Sequence, residues 1–222
     1  MPSRRTPIMR RQPHQPTATR KREGRSLSTI CLALVVAWLG TPLPAAAASL
    51  YRIDQRYGTI EFSVGILGMF DVQGSFPRFE GELLLDTAHP EQSHINVAID
   101  ANTVDMPLSD QVDLLRSAAY FDAAHYPTEH FVSTSIQALT PSHYLIHGTL
   151  QIRGIVQPQD IDAVLEDRHV DTTRGIESAD FVVTGRIRRS AFGMVADRIM
   201  VSDIVHLRIR IRLEVKPTAN AG

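Results

Sequence analysis

Val205-His206-Leu207-Arg208-Ile209-Arg210-Ile211-Arg212-Leu213-Glu214-Val215 alternates without a break between apolar and polar side chains. A strand turns successive side chains to opposite faces, so this stretch has one wholly apolar face and one charged face. A helix of the same sequence would scatter both sets around its circumference. The period of two decides for a strand.

The same alternation recurs upstream. Ile60, Phe62, Val64 and Ile66 form one strand face, as do Ile95, Val97, Ile99 and Ala101. Tyr144, Ile146, Gly148, Leu150 and Ile152 form another, and Phe181, Val183, Gly185 and Ile187 a fourth. Shorter strands are predicted over 79–86, 129–138 and 161–166. Turn-forming clusters separate them: Gly74-Ser75, 86–93, Thr140-Pro141-Ser142 and 171–175. One polar and one apolar face per strand imply antiparallel pairing with one side solvated. With about eight such strands and no helices to cover them, the sheet must close or fold over to hide its apolar side. The expected fold is therefore all-β: an antiparallel barrel whose interior is wide enough for side chains or one small ligand. Ser109 to Ser117 is the exception. A capping residue, acids near its start and Arg116 near its end predict a short helix. The aromatics Tyr120, Phe121 and Tyr126 follow, so the helix is either a lid on the barrel mouth or a plug completing its core.

The first forty-eight residues read differently. Eight Lys or Arg lie between Arg4 and Arg25, against the single acid Glu23. An apolar run follows from Ile30 to Leu39, then Gly40, Pro42, Pro44 and the small-residue tract Ala45 to Ala48. This order of basic, apolar and small segments describes a secretory signal peptide. The apolar run is about half the ~20 residues a membrane-spanning helix needs. Residues 1–48 are thus an expected signal, removed on export to the periplasm or beyond, and 49–222 a single domain. That remainder keeps 15 Lys or Arg against 23 Asp or Glu, a formal charge near −8. Nucleic acid and anionic membrane surfaces, which need a basic footprint, are poor partners for it. It has no cysteine, which excludes disulfides and thiolate metal sites.

Catalytic motifs are missing. No Gly-x-Ser-x-Gly elbow, glycine-rich phosphate loop or spaced pair of acids stands out. His143 and His147 would make a metal pair on a helix, but four strand residues span roughly 13 Å, too far for one ion. His125 and His130 flank Pro127 and form at best an incomplete site. No catalytic residue, cofactor or metal is assigned. What the chain has in excess is apolar bulk near strand ends, including Leu67, Met69, Phe70, Phe76, Phe79, Phe121, Phe131, Phe192 and Met194. These residues are either ordinary core or the lining of an interior that takes a long apolar guest.

Several segments together resemble the YceI-like family. They are Tyr51-Arg-Ile-Asp54, Ile60-x-Phe62-x-Val64, and Leu67-Gly68-x-x-x-Val72-x-Gly74-x-Phe76. Further on come Leu115-Arg116-Ser117, Phe121-Asp122-x-x-x-Tyr126-Pro127-x-x-x-Phe131-x-Ser133, Gly148-x-Leu150-x-Ile152-x-Gly154-Ile155-Val156-x-Pro158, and Arg189-Ser190-x-Phe192-Gly193-Met194. The resemblance implies an extended, lipocalin-like barrel holding a long isoprenoid lipid or quinone-type tail, in a periplasmic or secreted protein without catalytic residues. It also implies lipid contacts from Phe62, Val64, Ile66, Leu67, Phe70, Phe76, Leu115, Phe121, Phe131, Leu150, Ile152, Phe192 and Met194. A cytochrome b561-like membrane protein is an implied partner, and the chain itself is a monomer or homodimer. The alternative is a structural or interaction protein with a collapsed core that docks on such a partner. Ile66 and Leu114 stand where the family often has histidine, and Tyr57-Gly58 where it often has His-Ser. A less polar pocket, or one filled by its own side chains, is the expectation.

Overall fold

The computed structural model describes residues 48–215, apart from 87 and 174 and the side chain of Val215. All of the expected signal segment except Ala48 lies outside the described residues. Ten strands follow one another: β1 (Ser49–Asp54), β2 (Gly58–Ile66), β3 (Phe70–Ser75), β4 (Phe79–Leu85), β5 (His94–Asp100), β6 (Thr128–Thr140), β7 (His143–Ile152), β8 (Ile155–Asp171), β9 (Ile176–Arg188) and β10 (Val201–Val215). One helix, α1 (Ser109–Arg116), stands between β5 and β6.

All pairings are antiparallel, in the order β1-β4-β5-β6-β7-β8-β9-β10-β2-β3. The two ends of that order are two halves of one hairpin. β1 pairs β4 from Ser49 opposite Leu85 to Asp54 opposite Glu80. An unbroken hairpin would then set Glu61 opposite Gln73, whereas β2 and β3 set it opposite Ser75. The register therefore steps by two residues where the chain bends, at 55–57 on one arm and 76–78 on the other. Above the bend β2 hands on to β10, and below it β4 hands on to β5. Bent arms counted once, the ten segments make the eight strands that the alternation predicts.

The sheet is thereby curled around its apolar face. At the seam, Arg212 N–H donates to Tyr57 O at 2.7 Å. Tyr51 of β1, Leu83 of β4 and Leu213 of β10 bury one another there. β8 contains Pro158, yet its ladder with β9 begins only at Ile161 opposite Gly185. The missing N–H leaves no rung unmade on that side. Gln159 Nε2 instead donates to Arg186 O at 3.2 Å, and Gln157 Nε2 to Ala191 O at 3.2 Å.

The helix forms as expected, but without the side-chain cap. Its N-cap is Leu108, and no side chain bonds the first amides from that position. Leu115 packs with Ile60, Phe62, Phe76 and Phe79. The following segment is tied to the barrel: Phe121 N donates to Leu115 O at 2.9 Å and Tyr120 OH to Asp197 at 2.7 Å. Arg153 Nη2 donates to Ala118 O at 3.1 Å. Phe121 meets Phe76 edge-on, ring centres 5.4 Å apart, and Phe76 meets Phe62 at 5.5 Å. The segment thus closes one end of the barrel and adds Phe121 to the aromatic group there.

Candidate functional site

Strand parity selects the inward side chains. They include Ile60, Phe62 and Val64 from β2, and Tyr144, Ile146, Leu150 and Ile152 from β7. From β10 they are Val205, Leu207, Ile209, Ile211 and Leu213, the apolar half of the alternating stretch. Together they enclose one connected cavity of about 780 Å³. That volume lies within the ~300–1,000 Å³ usual for small-molecule pockets. Leu115, Tyr120 and Phe121 close one end, and Arg168, Glu177 and Ser178 join the lining towards the other.

Nine of the residues assigned to lipid contact line this cavity: Phe62, Val64, Phe76, Leu115, Phe121, Phe131, Leu150, Ile152 and Met194. Four do not. Ile66 shares the parity of Val64 but stands on the last rung of β2, opposite Phe70, past the void. Leu67 takes a left-handed φ of 52° at the hairpin tip, which throws it outward, and it is 53% exposed. Phe70, opening β3, is 65% exposed. Phe192 is fully buried in the wall, within a 3-10 turn after β9, packed with the Phe131 and Met194 group rather than facing the void. The expected loss of pocket polarity at Ile66 and Leu114 also falls outside the cavity, since Leu114 is 46% exposed on the outer side of α1.

Two buried ionisable side chains face the plugged end of the interior: Glu129, which stands in no motif, and Arg189, which stands in one without an assigned role. Arg189 is 3% exposed and spends its guanidinium on four backbone carbonyls: Ser202 (2.9 Å), Met194 (2.9 Å), Ala196 (2.7 Å) and Val201 (3.0 Å). It fixes the loop between the 3-10 turn and β10, and a buried cation is stabilised only by such pairing. Glu129 is also 3% exposed. It opens the inward face of β6, two residues before Phe131, opposite Ile99 of β5. Its Oε2 accepts the amide N–H of Arg153 at 3.2 Å. That amide is presented by a two-residue hairpin turn, Arg153-Gly154, with both φ values positive (52° and 72°). Glu129 Oε1 is buried and has no hydrogen-bond partner among the described residues. Burial pushes this carboxyl up to about 8, against the opposing pull of the Arg153 amide and charge. Tyr120 is likewise raised, to about 12, first by burial and then by its bond to Asp197.

The histidines are engaged singly at the surface. His143 Nε2 contacts Asp162 at 3.0 Å, His147 Nδ1 contacts Asp160 at 2.7 Å, and His125 Nδ1 contacts Asp122 at 2.8 Å. Among the described residues, no three His, Cys, Asp or Glu side chains gather where they could hold one ion.

Comparison with known proteins adds to this geometry. A family model described as the YceI-like domain matches residues 51–213. The curated Protein YceI of Salmonella arizonae is 29% identical over 169 residues, which are 75% of this chain and 87% of that protein. Among solved structures, BcnA of Burkholderia cenocepacia superposes with a TM-score of 0.62 at 22% identity, over 72% of this chain and 98% of that one. A Campylobacter jejuni YceI protein gives 0.62 at 24%, over 67% and 87%. A polyisoprenoid binding domain from Saccharophagus degradans gives 0.52 at 14%, over 76% and 99%. At these identities the three structures share the fold.

Proposed function

This chain belongs to the YceI-like family, and from that footing we propose that it is an exported binding protein that holds a long isoprenoid or quinone-type lipid inside its barrel. The connected 780 Å³ cavity, walled almost throughout by inward apolar side chains, is the observation that carries the reading. A packed core fills its interior to near-crystalline density, and this one does not. Each buried CH₂ of a guest contributes about 0.8 kcal/mol, so a long tail supplies affinity without specific contacts. The polyisoprenoid binding domain with the same fold supports the choice of guest. The basic, apolar and small-residue order of residues 1–48 supports export to the periplasm or beyond.

Native mass spectrometry and solvent extraction of freshly purified protein test the proposal. A bound apolar lipid of isoprenoid mass is expected, on a chain whose N-terminus is Ser49. Protein that is reproducibly empty, and that takes up no isoprenoid when offered one, refutes it.

A second reading, as a docking module for a membrane partner, has its own observation. Leu67, Met69 and Phe70 at the β2–β3 tip and Ile199 and Met200 in the loop before β10 are all exposed. Leu67 N–H donates to Met200 O at 2.7 Å, which holds the two loops together. An empty barrel that still binds its partner through this tip is the result that favours it.

A further inference from the structure

Among the described residues, one buried side-chain oxygen in the cavity wall has nothing to bond. Glu129 lines the cavity with Oε1 buried and unpartnered, while Oε2 is engaged by the Arg153 amide. Leaving a buried polar atom unmade costs about 1–3 kcal/mol. An orphan of this kind inside a ligand-sized void marks a place where the ligand completes the hydrogen bond.

We propose that Glu129 Oε1–H is the donor that seats the head of the cargo, and that the head is a neutral carbonyl or hydroxyl group rather than a phosphate. This rests on the reading of the barrel as a lipid container and names the chemistry at one point of its wall.

Three features of the site support it. Oε2 already accepts an N–H, so in the neutral acid it acts as the carbonyl oxygen and the proton belongs on Oε1. Burial pushes the carboxyl up to about 8, which keeps that proton in place at neutral pH. Of the other polar side chains near this end, Arg153, Arg189 and Tyr120 each already donate to protein oxygens. Arg153 donates Nη1 to Gly193 O (3.0 Å) and Nη2 to Ala118 O (3.1 Å). Arg189 is bound to its four carbonyls, and Tyr120 OH donates to Asp197. A phosphate would lie beside an acid and would compete with these carbonyls for the guanidinium N–H groups. A carbonyl or hydroxyl oxygen finds a single directed donor.

The test uses delipidated protein from residue 49 onward and four probes on comparable C20 isoprenoid tails. They are geranylgeraniol, menaquinone-4, geranylgeranyl diphosphate and the saturated hydrocarbon phytane. Each competes with a fluorescent fatty acid for the wild type, Glu129→Gln and Glu129→Leu. One neutral hydrogen bond predicts that geranylgeraniol binds the wild type about three- to tenfold more tightly than phytane. The diphosphate should bind more weakly than the alcohol. Glu129→Leu should erase the alcohol's advantage and leave phytane unchanged. Glu129→Gln, whose amide can still donate, should keep it. Menaquinone-4, which can only accept at its carbonyls, should lose affinity for the wild type as pH passes about 8 and not for Glu129→Gln. An alcohol preference that survives in Glu129→Leu overturns the assignment, as does tightest binding by the diphosphate. In either case phytane binding still supports the container. Failure of all four probes overturns the container reading and this assignment with it.

Discussion

Replacing Glu129 with glutamine should flatten the part of the stability profile that this buried carboxyl imposes. In the unfolded chain the group ionises near its ordinary 4.5, and in the folded barrel burial holds it protonated up to about 8. Below 4.5 both states carry the proton, and stability does not depend on it. Between 4.5 and 8 the unfolded chain releases a proton that the folded chain keeps, so stability falls as pH rises, by at most about 1.36 kcal/mol per pH unit. Above 8 both states are ionised and the loss stops growing. By pH 7 it amounts to at most ~3.4 kcal/mol, and water entering the cavity beside the ionised group reduces this to an expected ~2 kcal/mol. Glutamine keeps an oxygen for the Arg153 amide and does not titrate. The assay is urea unfolding of delipidated wild type and Glu129→Gln at half-unit steps from pH 4.5 to 9, without ligand, which would add its own binding energy. Every other ionisable group is common to both proteins and cancels in the difference. The difference should grow with pH in favour of glutamine, reach ~2 kcal/mol by pH 7 and level off above 8. Parallel profiles would mean that Glu129 is solvated and ionised at neutral pH. The argument for a protonated donor in the cavity would then fail.

Two further substitutions probe the void and its frame. Val64→Trp and Leu150→Trp each project an indole into the cavity; the bound lipid should disappear from mass spectra while stability stays within about 1 kcal/mol. A loss of about 1–3 kcal/mol or more with lipid retained would identify a packed core instead. Arg189→Met strips hydrogen bonds from the carbonyls of Met194, Ala196, Val201 and Ser202, and should destabilise by about 3–5 kcal/mol in urea titrations. A cost below about 1 kcal/mol would show that the loop does not depend on this side chain.

The strands that were legible are those whose two faces differ. β2, β5, β7, β9 and β10 each alternate over enough residues to reveal the period. β3 does not. Phe70-Asp-Val-Gln-Gly-Ser75 carries few apolar residues, and Gly74-Ser75 reads as a turn. In the structure Gly74 stays within the strand because the Phe62 ring and the Met106 sulfur occupy the space a Cβ would need. That close approach is a tertiary fact with no local signature. β1 is short, and its inward Tyr51 and Ile53 gain meaning only against β4 and β10. β8 runs from Ile155 to Asp171, much further than 161–166, because the sheet supplies partners that its polar outer residues do not advertise. Within the site, Leu67 and Phe70 were drawn in by their size and chain position, although a tip residue beyond the last rung points away from the interior. Glu129 was missed for the opposite reason. Its parity with Phe131 and Ser133 places it inward, but parity was read for apolar residues alone.

Two buried ionisable groups, Arg189 and Glu129, separate wall from site. Both lie at the plugged end and both are 3% exposed. Arg189 gives four of its five N–H groups to carbonyls of its own chain. Glu129 is half saturated: one oxygen is held by the β7–β8 turn, which fixes the direction of the other. A group that served only to brace the barrel would be completed by the barrel, as Arg189 is at four of its five N–H groups. A buried polar group that the fold orients and then leaves open is costly to the empty protein, and that cost is recovered only when something in the cavity bonds to it. Nor does the expected loss of polarity at Ile66 and Leu114 bear on what the cavity accepts, because neither residue reaches it. At the plugged end of the void, selectivity then turns on one oxygen. Tails are discriminated by length and bulk alone, and heads by whether they can accept a hydrogen bond from Glu129.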